Sequence, residues 1–321
     1  MTNRNKRSRS GTSASGRFER RATTTREPAP RRGLLDSIFA PRAAASTSMP
    51  RIRSSLARGV TVVAATPVLA AGAIAVTVFE WLVALALGYQ GPFALFVSAL
   101  ALPPVGTSFD ATLSTSLFGL QGGFIAILGF VAFRAIAQAL IVGAVVDVLH
   151  GSRLGRWTLV RAVRTFPAAL AVNLAGVGLL TLASILAPML GPAFGLLIQM
   201  AALVGGVYLL GFAPVIAAEE GRKLPDTMGR SIRAARMPGA GNLTLAAIYV
   251  VASIALLVAP GKPGSDLGVN PTVGAWVLVL VANLLHVVMQ ATLAFRYLSI
   301  ADEVPEPAPR RSPEPRARGR R

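Results

Sequence analysis

The run "GFVAFRAIAQALIVG", residues 129–143, decides the fold: it is apolar enough to lie in hydrocarbon, yet it carries Arg134 near its middle. Insertion scales put an arginine at mid-bilayer at a cost of about 2.5 to 3.5 kcal/mol. A residue held there at that cost needs a partner inside the same solvent. The whole chain fits this setting. Of 321 residues, 53% are hydrophobic and only 14% charged, with a mean hydropathy of +0.58. That is too apolar for an ordinary soluble domain and reads as a multi-pass membrane protein.

Working outward from residue 134, a bilayer core of about 30 Å needs roughly 20 apolar residues in a helix. Six stretches meet this: 64–87, 123–147, 168–188, 192–217, 243–258 and 273–298, of which the fifth is the shortest. A further run, "PFALFVSALALPP" at 92–104, is too short to cross and is fenced by prolines, so it reads as interfacial or re-entrant. The expected fold is all-α: a polytopic bundle of about six transmembrane helices arranged as three hairpins, with basic amphipathic segments on the cytoplasmic side.

Arginine and lysine are retained in the cytoplasm when they lie in short loops. The tail before Arg58, the loop "HGSRLGRWTLVRAVRTF", the loop "EEGRKLPDTMGRSIRAARMPG" and the tail after Ile300 are arginine-rich and alternate with loops in which only Lys262 is basic. Six crossings with both termini cytoplasmic satisfy all of them in the cell membrane. Residues 1–55 are rich in Arg, Ser, Thr and Pro and read as a disordered tail, apart from a short helical face in "GLLDSIF". A twin-arginine signal at "RRGLL" has little support, because no continuous apolar region comes after it and Asp36 and Pro41 interrupt the segment. Residues 56–300 form the membrane domain, and 301–321 a second disordered tail rich in proline and arginine.

The net charge of +18 does not point to nucleic acid, since the arginines crowd into tails and two short segments instead of covering a folded surface. Anionic lipid headgroups are the nearer partner, with protein partners reached through the tails. The absence of cysteine removes thiolate chemistry, and two histidines, His150 and His286, leave no multi-histidine metal site. No cofactor is implied. "GSRLGR" lacks the Gly-Lys-Ser/Thr ending of a phosphate-cradling loop. Nothing resembles a nucleophile elbow or a metalloprotease helix. The expectation is a protein that is not an enzyme.

Laid on itself at an offset of 69, the chain pairs Thr158 with Thr227, Arg161 with Arg230, Arg164 with Arg233 and Asn173 with Asn242, then aligns two "ASI" triplets. Each copy is a basic segment followed by an outward crossing, which makes the copies parallel; many transporters are built from repeats. Arg53, Arg58 and the first crossing form a more degraded third copy. In the first copy Leu159, Val163 and Phe166 face acyl chains while Arg156, Arg161 and Arg164 reach phosphates, with Trp157 at the headgroups, as in a helix lying in the interface. The second copy offers Met228 and Ile232 with Arg230, Arg233 and Arg236. Plain topology signalling accounts for these clusters equally well.

A crossing ending in "APVIAAEEG", then "LPDTMGRSIRAARMPGAGNL", and a last crossing ending in "ATLAFRYLSI" is similar to a broad group of prokaryotic six-helix proteins. That group includes the membrane domain accompanying some glycerophosphoryl diester phosphodiesterases. The resemblance covers about residues 51–300, with Arg233 displaced by one place from the group's Ser-x-x-Arg-like pattern. The catalytic domain of those phosphodiesterases has no room in either tail, so no active-site residue carries over. What the resemblance implies is an integral membrane domain.

Among intramembrane polar residues, Glu80 is the one carboxylate deep in another crossing, about 7 Å outward of centre at 1.5 Å per residue. An ion pair between Glu80 and Arg134 is expected. In the last crossing Asn283, His286 and Gln290 share a face near mid-membrane, and Gln138 lies one turn from Arg134. These residues serve either as interhelical hydrogen-bond glue or as the lining of a small polar cavity with a titratable His286. The first reading goes with a non-catalytic module that organises lipid or partner proteins, the second with a small-solute or proton-coupled transporter. The glycines at 191, 195, 205, 206 and 211 permit close helix approach.

Overall fold

The computed structural model describes residues 49–86, 98–99, 102–106, 123–237, 241–258 and 273–306, with the side chains of 123–127, 192 and 257–258 left aside. The expectations for "GLLDSIF", Lys262, most of the N-terminal tail and the chain after 306 lie outside those residues. Every regular element described is helical: α1 (Ile52–Ala65), α2 (Pro67–Ala86), α3 (Gly123–Leu149), α4 (Arg156–Leu190), α5 (Pro192–Leu210), α6 (Ala213–Glu220), α7 (Leu224–Ala235), α8 (Asn242–Val258) and α9 (Val273–Leu298). A short 3₁₀ turn, Ala301–Glu303, follows α9. Among the described residues five stretches are long and apolar enough to cross a membrane: Pro67–Ala86, Leu128–Leu149, Arg156–Leu190, Ala193–Glu220 and Val273–Leu298. The 17-residue α8 is apolar but shorter.

Prolines set most of the boundaries. The first apolar stretch begins at Pro67 and not at 64, because Thr66 leaves helical geometry (φ −122°, ψ 82°) and Pro67 starts α2, where its missing N–H costs nothing. The preceding α1 begins at Ile52, inside the region expected to be a disordered tail. It lies along α9, with Gly59 so close that a Cβ there would stand 2.3 Å from the Thr292 hydroxyl. Pro214 removes the N–H that would serve Leu210, so α5 and α6 are one apolar path disturbed at Gly211 and Phe212, both of which keep helical dihedrals. α6 ends at Gly221 in the left-handed region (φ 61°), the geometry glycine permits at a helix C-terminus.

The two repeat copies differ. The basic segment of the first copy is not a separate interfacial helix: α4 runs unbroken for 35 residues, about 52 Å at 1.5 Å per residue, from Arg156 through Pro167 to Leu190. Proline alone kinks a helix whose neighbours are good helix formers. In the second copy the sequence "MPGAGN" adds glycines to the proline, and the chain is split into the amphipathic α7 and the apolar α8. Asp226 in the first turn of α7 and Arg233 in its last turn suit the helix dipole.

Within the bundle α3 packs on α4, α4 on α5 and α6, α9 on α1, α2, α3 and α8, and α8 on α5. The main core joins Val142, Val145 and Val146 of α3, Val172 of α4, Phe212 and Ile216 near the kink, and Met289, Leu293 and Tyr297 of α9. Large apolar side chains on the outer faces remain exposed, Trp157 by 75% and Val163 by 74%, as a lipid-facing surface requires.

Candidate functional site: a polar spine and a basic pole

Glu80 on α2 and Arg134 on α3 meet in a two-pronged pair. Arg134 donates from Nε to Oε1 at 2.8 Å and from Nη2 to Oε2 at 3.2 Å. Both side chains are closed to solvent (0% and 1% exposed). The rings of Phe79 and Phe133, one residue before each partner, lie with centroids 4.6 Å apart. Burial makes such a pair roughly neutral as a unit and costly to break from one side.

Asn283, His286 and Gln290 are buried on one face of α9, and they serve the short segment at 98–106. Asn283 Nδ2 donates to the Ser98 carbonyl (2.6 Å), His286 Nε2 meets the Ala99 carbonyl (3.2 Å) and Gln290 Nε2 donates to the Leu102 carbonyl (2.8 Å). From the opposite side Gln138 Nε2 on α3 donates to the Pro104 carbonyl (2.8 Å), and its own oxygen accepts from Asn173 Nδ2 on α4 (2.7 Å). The chemistry follows from the backbone. Residues 102–106, interrupted by Pro103 and Pro104, are not helical and have no ladder of their own. Carbonyls left bare away from water cost several kcal/mol each, so irregular chain survives there only inside protein. The described residues of 92–104, Ser98, Ala99, Leu102, Pro103 and Pro104, are all buried, held by side chains of α3 and α9.

Glycine lets this segment reach α4. A Cβ on Gly106 would stand 2.4 Å from the Asn173 carbonyl oxygen, and one on Gly176 would stand 2.4 Å from the Gly106 carbonyl oxygen. His286 is fully engaged: the Ala99 carbonyl can only accept, so Nε2 carries the proton, and Nδ1 accepts from the Tyr249 hydroxyl at 2.7 Å. The ring thus links Tyr249 on α8 to the Ala99 carbonyl. Asn283 Oδ1 and Gln290 Oε1 are buried with no protein partner among the described residues.

The second polar region lies at the other ends of the same helices. Arg161 on α4 bonds Asp147 at the end of α3 (3.1 Å) and Glu219 at the end of α6 (3.0 Å), while Thr158 donates to Asp147 at 2.6 Å. Arg230 on α7 is buried, against the expectation that it reaches lipid. Its Nε bonds Glu220 (2.8 Å) and the Tyr297 hydroxyl (2.7 Å), and its remaining nitrogens bond the Ala301 and Val304 carbonyls and Glu306. Glu220 also meets Arg222 and Tyr297 at very short range. Arg156, Arg164 and Arg236 are exposed and Arg233 is half-buried, so of the six arginines expected at lipid these four remain available.

Electrostatics follow the contacts. Hydrogen bonds donated to Glu306 and Glu220 raise the Arg222 guanidinium above its ordinary range, and Arg222 in return holds the Glu306 carboxyl below the usual carboxylate value. Burial opposes the charge on Arg230, but the Tyr297 and Glu220 contacts outweigh it. Glu306 thereby ties down the start of a tail expected to be free from residue 301.

Sequence reasoning missed Arg296, which is 0% exposed at the last turn of α9. It donates to Asn242 Oδ1 (2.9 Å), the Pro50 carbonyl (2.8 Å) and the Ser55 hydroxyl (3.0 Å), joining the starts of α1 and α8. Asn242 in turn donates to the last carbonyls of α7, Ala234 and Ala235. The asparagine pair of the internal repeat was the available signal for both Asn173 and Asn242. Among the described residues no three His, Asp or Glu side chains converge as a metal site. Comparison of the chain with protein-family models, curated proteins and solved structures finds no match. The class rests on the fold alone: an all-helical bundle with several helices apolar enough to cross a membrane.

Proposed function

We propose that the protein is a non-catalytic integral membrane module of six crossings in three hairpins, the short α8 being the fifth, with both termini in the cytoplasm of the cell. Its basic pole engages the anionic leaflet, and its tails are available to protein partners. The observation that carries this reading is positional. Apart from Arg134, every described arginine and lysine belongs to one pole, where contacts join the starts of α1, α4, α7 and α8 to the ends of α3, α6 and α9. A charge distribution of this kind fixes orientation and holds the pole against anionic lipid at about 1 kcal/mol per basic residue.

The spine favours a module over a solute pathway, because Gln138, Asn283, His286 and Gln290 use their donors on the backbone of 98–104. The chain has no cysteine, so single cysteines can be introduced cleanly. Placed at Lys262, Ser312 or His286 in intact cells, they should react with an impermeant maleimide at 262 only. Labelling at 312 would overturn the topology, and labelling at 286 would turn the spine into a water path.

A further inference from the structure

Between the end of α3, the start of α4 and the end of α6 lies a cavity of about 460 Å³, lined by Asp147, Arg153, Trp157, Arg161, Arg164 and Glu219 among others. Its charges are not equivalent. Arg161 forms the floor, and both carboxylates turn to it, Asp147 at 3.1 Å and Glu219 at 3.0 Å; Glu219 also meets His150 at 3.5 Å. With the acids engaged in this way, Arg153 and Arg164 stand exposed at the rim without an acidic partner among the described residues. Two guanidiniums flanking one opening present the donor forks that suit phosphate oxygens.

The surroundings decide which phosphate. Trp157 lines the cavity and is 75% exposed, and the same stretch of α4 presents Leu159 and Val163, also exposed, on its other side. A helix that shows tryptophan, leucine and valine to the outside within two turns lies at the boundary of headgroups and acyl chains. The cavity opens beside that boundary. It is large enough for a phosphodiester headgroup and larger than an isolated phosphate needs.

We propose that this cavity is a discrete site for the phosphate headgroup of an anionic phospholipid, with Arg153 and Arg164 as the phosphate ligands and Trp157 as the wall facing the glycerol. The inference rests on the reading that the basic pole faces the anionic leaflet. It adds that the interaction is localised in one built site and not spread over the pole.

Full-length protein would be purified in neutral detergent micelles containing phosphatidylcholine with a minority of phosphatidylglycerol, and retained lipid counted by mass spectrometry of the intact protein. Arg153→Ala with Arg164→Ala should lower retained phosphatidylglycerol about thirtyfold, about fivefold for each juxtamembrane charge. Arg156→Ala with Arg236→Ala, which removes the same charge from exposed positions outside the cavity, should lower it by clearly less, because mostly neutral micelles carry little anionic surface for unlocalised charge to meet. All four side chains are exposed, so unchanged melting temperatures verify folding. Equal losses in the two double variants would overturn the discrete site and leave the leaflet reading standing. No preference of the wild-type protein for phosphatidylglycerol would overturn both. Displacement of the lipid by inorganic phosphate at millimolar levels would assign the cavity to a soluble phosphate instead.

Discussion

The polar spine and the basic pole solve the same problem, a charged or amide group away from bulk water, in opposite ways. In the spine the contacts link a few buried groups at a time: Arg134 meets Glu80, Gln290 caps the Leu102 carbonyl, and Gln138 joins the Pro104 carbonyl to Asn173. At the pole partners are shared, so that Glu220 meets Arg222, Arg230 and Tyr297 while Arg230 bonds five oxygens. The difference reflects the surrounding dielectric. The spine side chains are almost wholly buried, whereas the pole is half open and Glu306 is 60% exposed. Loss of one side chain should therefore be severe in the spine and graded at the pole.

The sharpest test of that contrast is the buried ion pair. Arg134→Leu strands the Glu80 carboxylate and should cost about 3 to 5 kcal/mol, read as lost folded yield and a lowered melting temperature in detergent. Replacing both residues by leucine should restore most of the loss, because desolvation and attraction nearly cancel. A double variant as poor as the single would mean that the two charges are not each other's principal partners.

Next in size come the carbonyl caps. Gln138→Leu exposes the Pro104 carbonyl and also leaves Asn173 without its acceptor on α3, so it should cost about 2 to 4 kcal/mol, roughly two unmet buried groups. Gln290→Leu removes one cap and should cost about half as much. Thermal unfolding of the two variants in the same micelles orders them; equal, negligible losses would show that water already reaches 102–106.

Arg230→Ala moves the comparison to the pole. Several bonds disappear; Tyr297 and Val304 are buried, but Glu220 keeps Arg222 and both Ala301 and Glu306 retain exposure, so global stability should fall by about 2 kcal/mol, less than at the ion pair. The local effect is larger, since the Ala301 and Val304 carbonyls lose their donor. Limited proteolysis should cut the chain near 301–306 much faster than in the unmodified protein.

Much of the spine was legible because hydrocarbon leaves so few alternatives. A lone arginine and a lone carboxylate within apolar runs have to find each other, and a face bearing Asn283, His286 and Gln290 has to bond something. Its partner was not legible, since the periodicity of α9 says nothing about a short proline-broken segment about 190 residues away in sequence. Helix continuity also escaped reading. Pro167 and Pro238 look alike as punctuation, but α4 passes through the first, while the second falls in the glycine-rich stretch between α7 and α8. The pole was legible as a charge pattern and not as a network. Arginine clusters announce a side of the membrane, and only packing decides that Arg230 and Arg296 point inward while Arg164 points out.

The smallest expected effect is also the one that isolates the pole from the spine. Glu306 on the segment after α9 faces Arg222 at 2.7 Å and Arg230 at 3.0 Å, with Arg233, Glu220 and Tyr297 nearby. Arg222 holds its carboxyl below the ordinary value near 4.5, so the docked anion is favoured over the protonated form in the folded state. The sign is fixed by that direction: the contribution is fully present above the ordinary carboxylate value and fades as pH falls through the lower, folded value. A spin label on a cysteine introduced at Pro305 should stay immobilised from neutral pH down to about pH 5, then gain mobility on further acidification or at high salt, which screens exposed pairs. Glu306→Gln should make the label mobile at every pH while leaving the melting temperature nearly unchanged. If instead the label loosens only when the whole bundle unfolds, the segment is held by Val304 packing and the Ala301 carbonyl, and the pole is less divisible than its shared contacts imply.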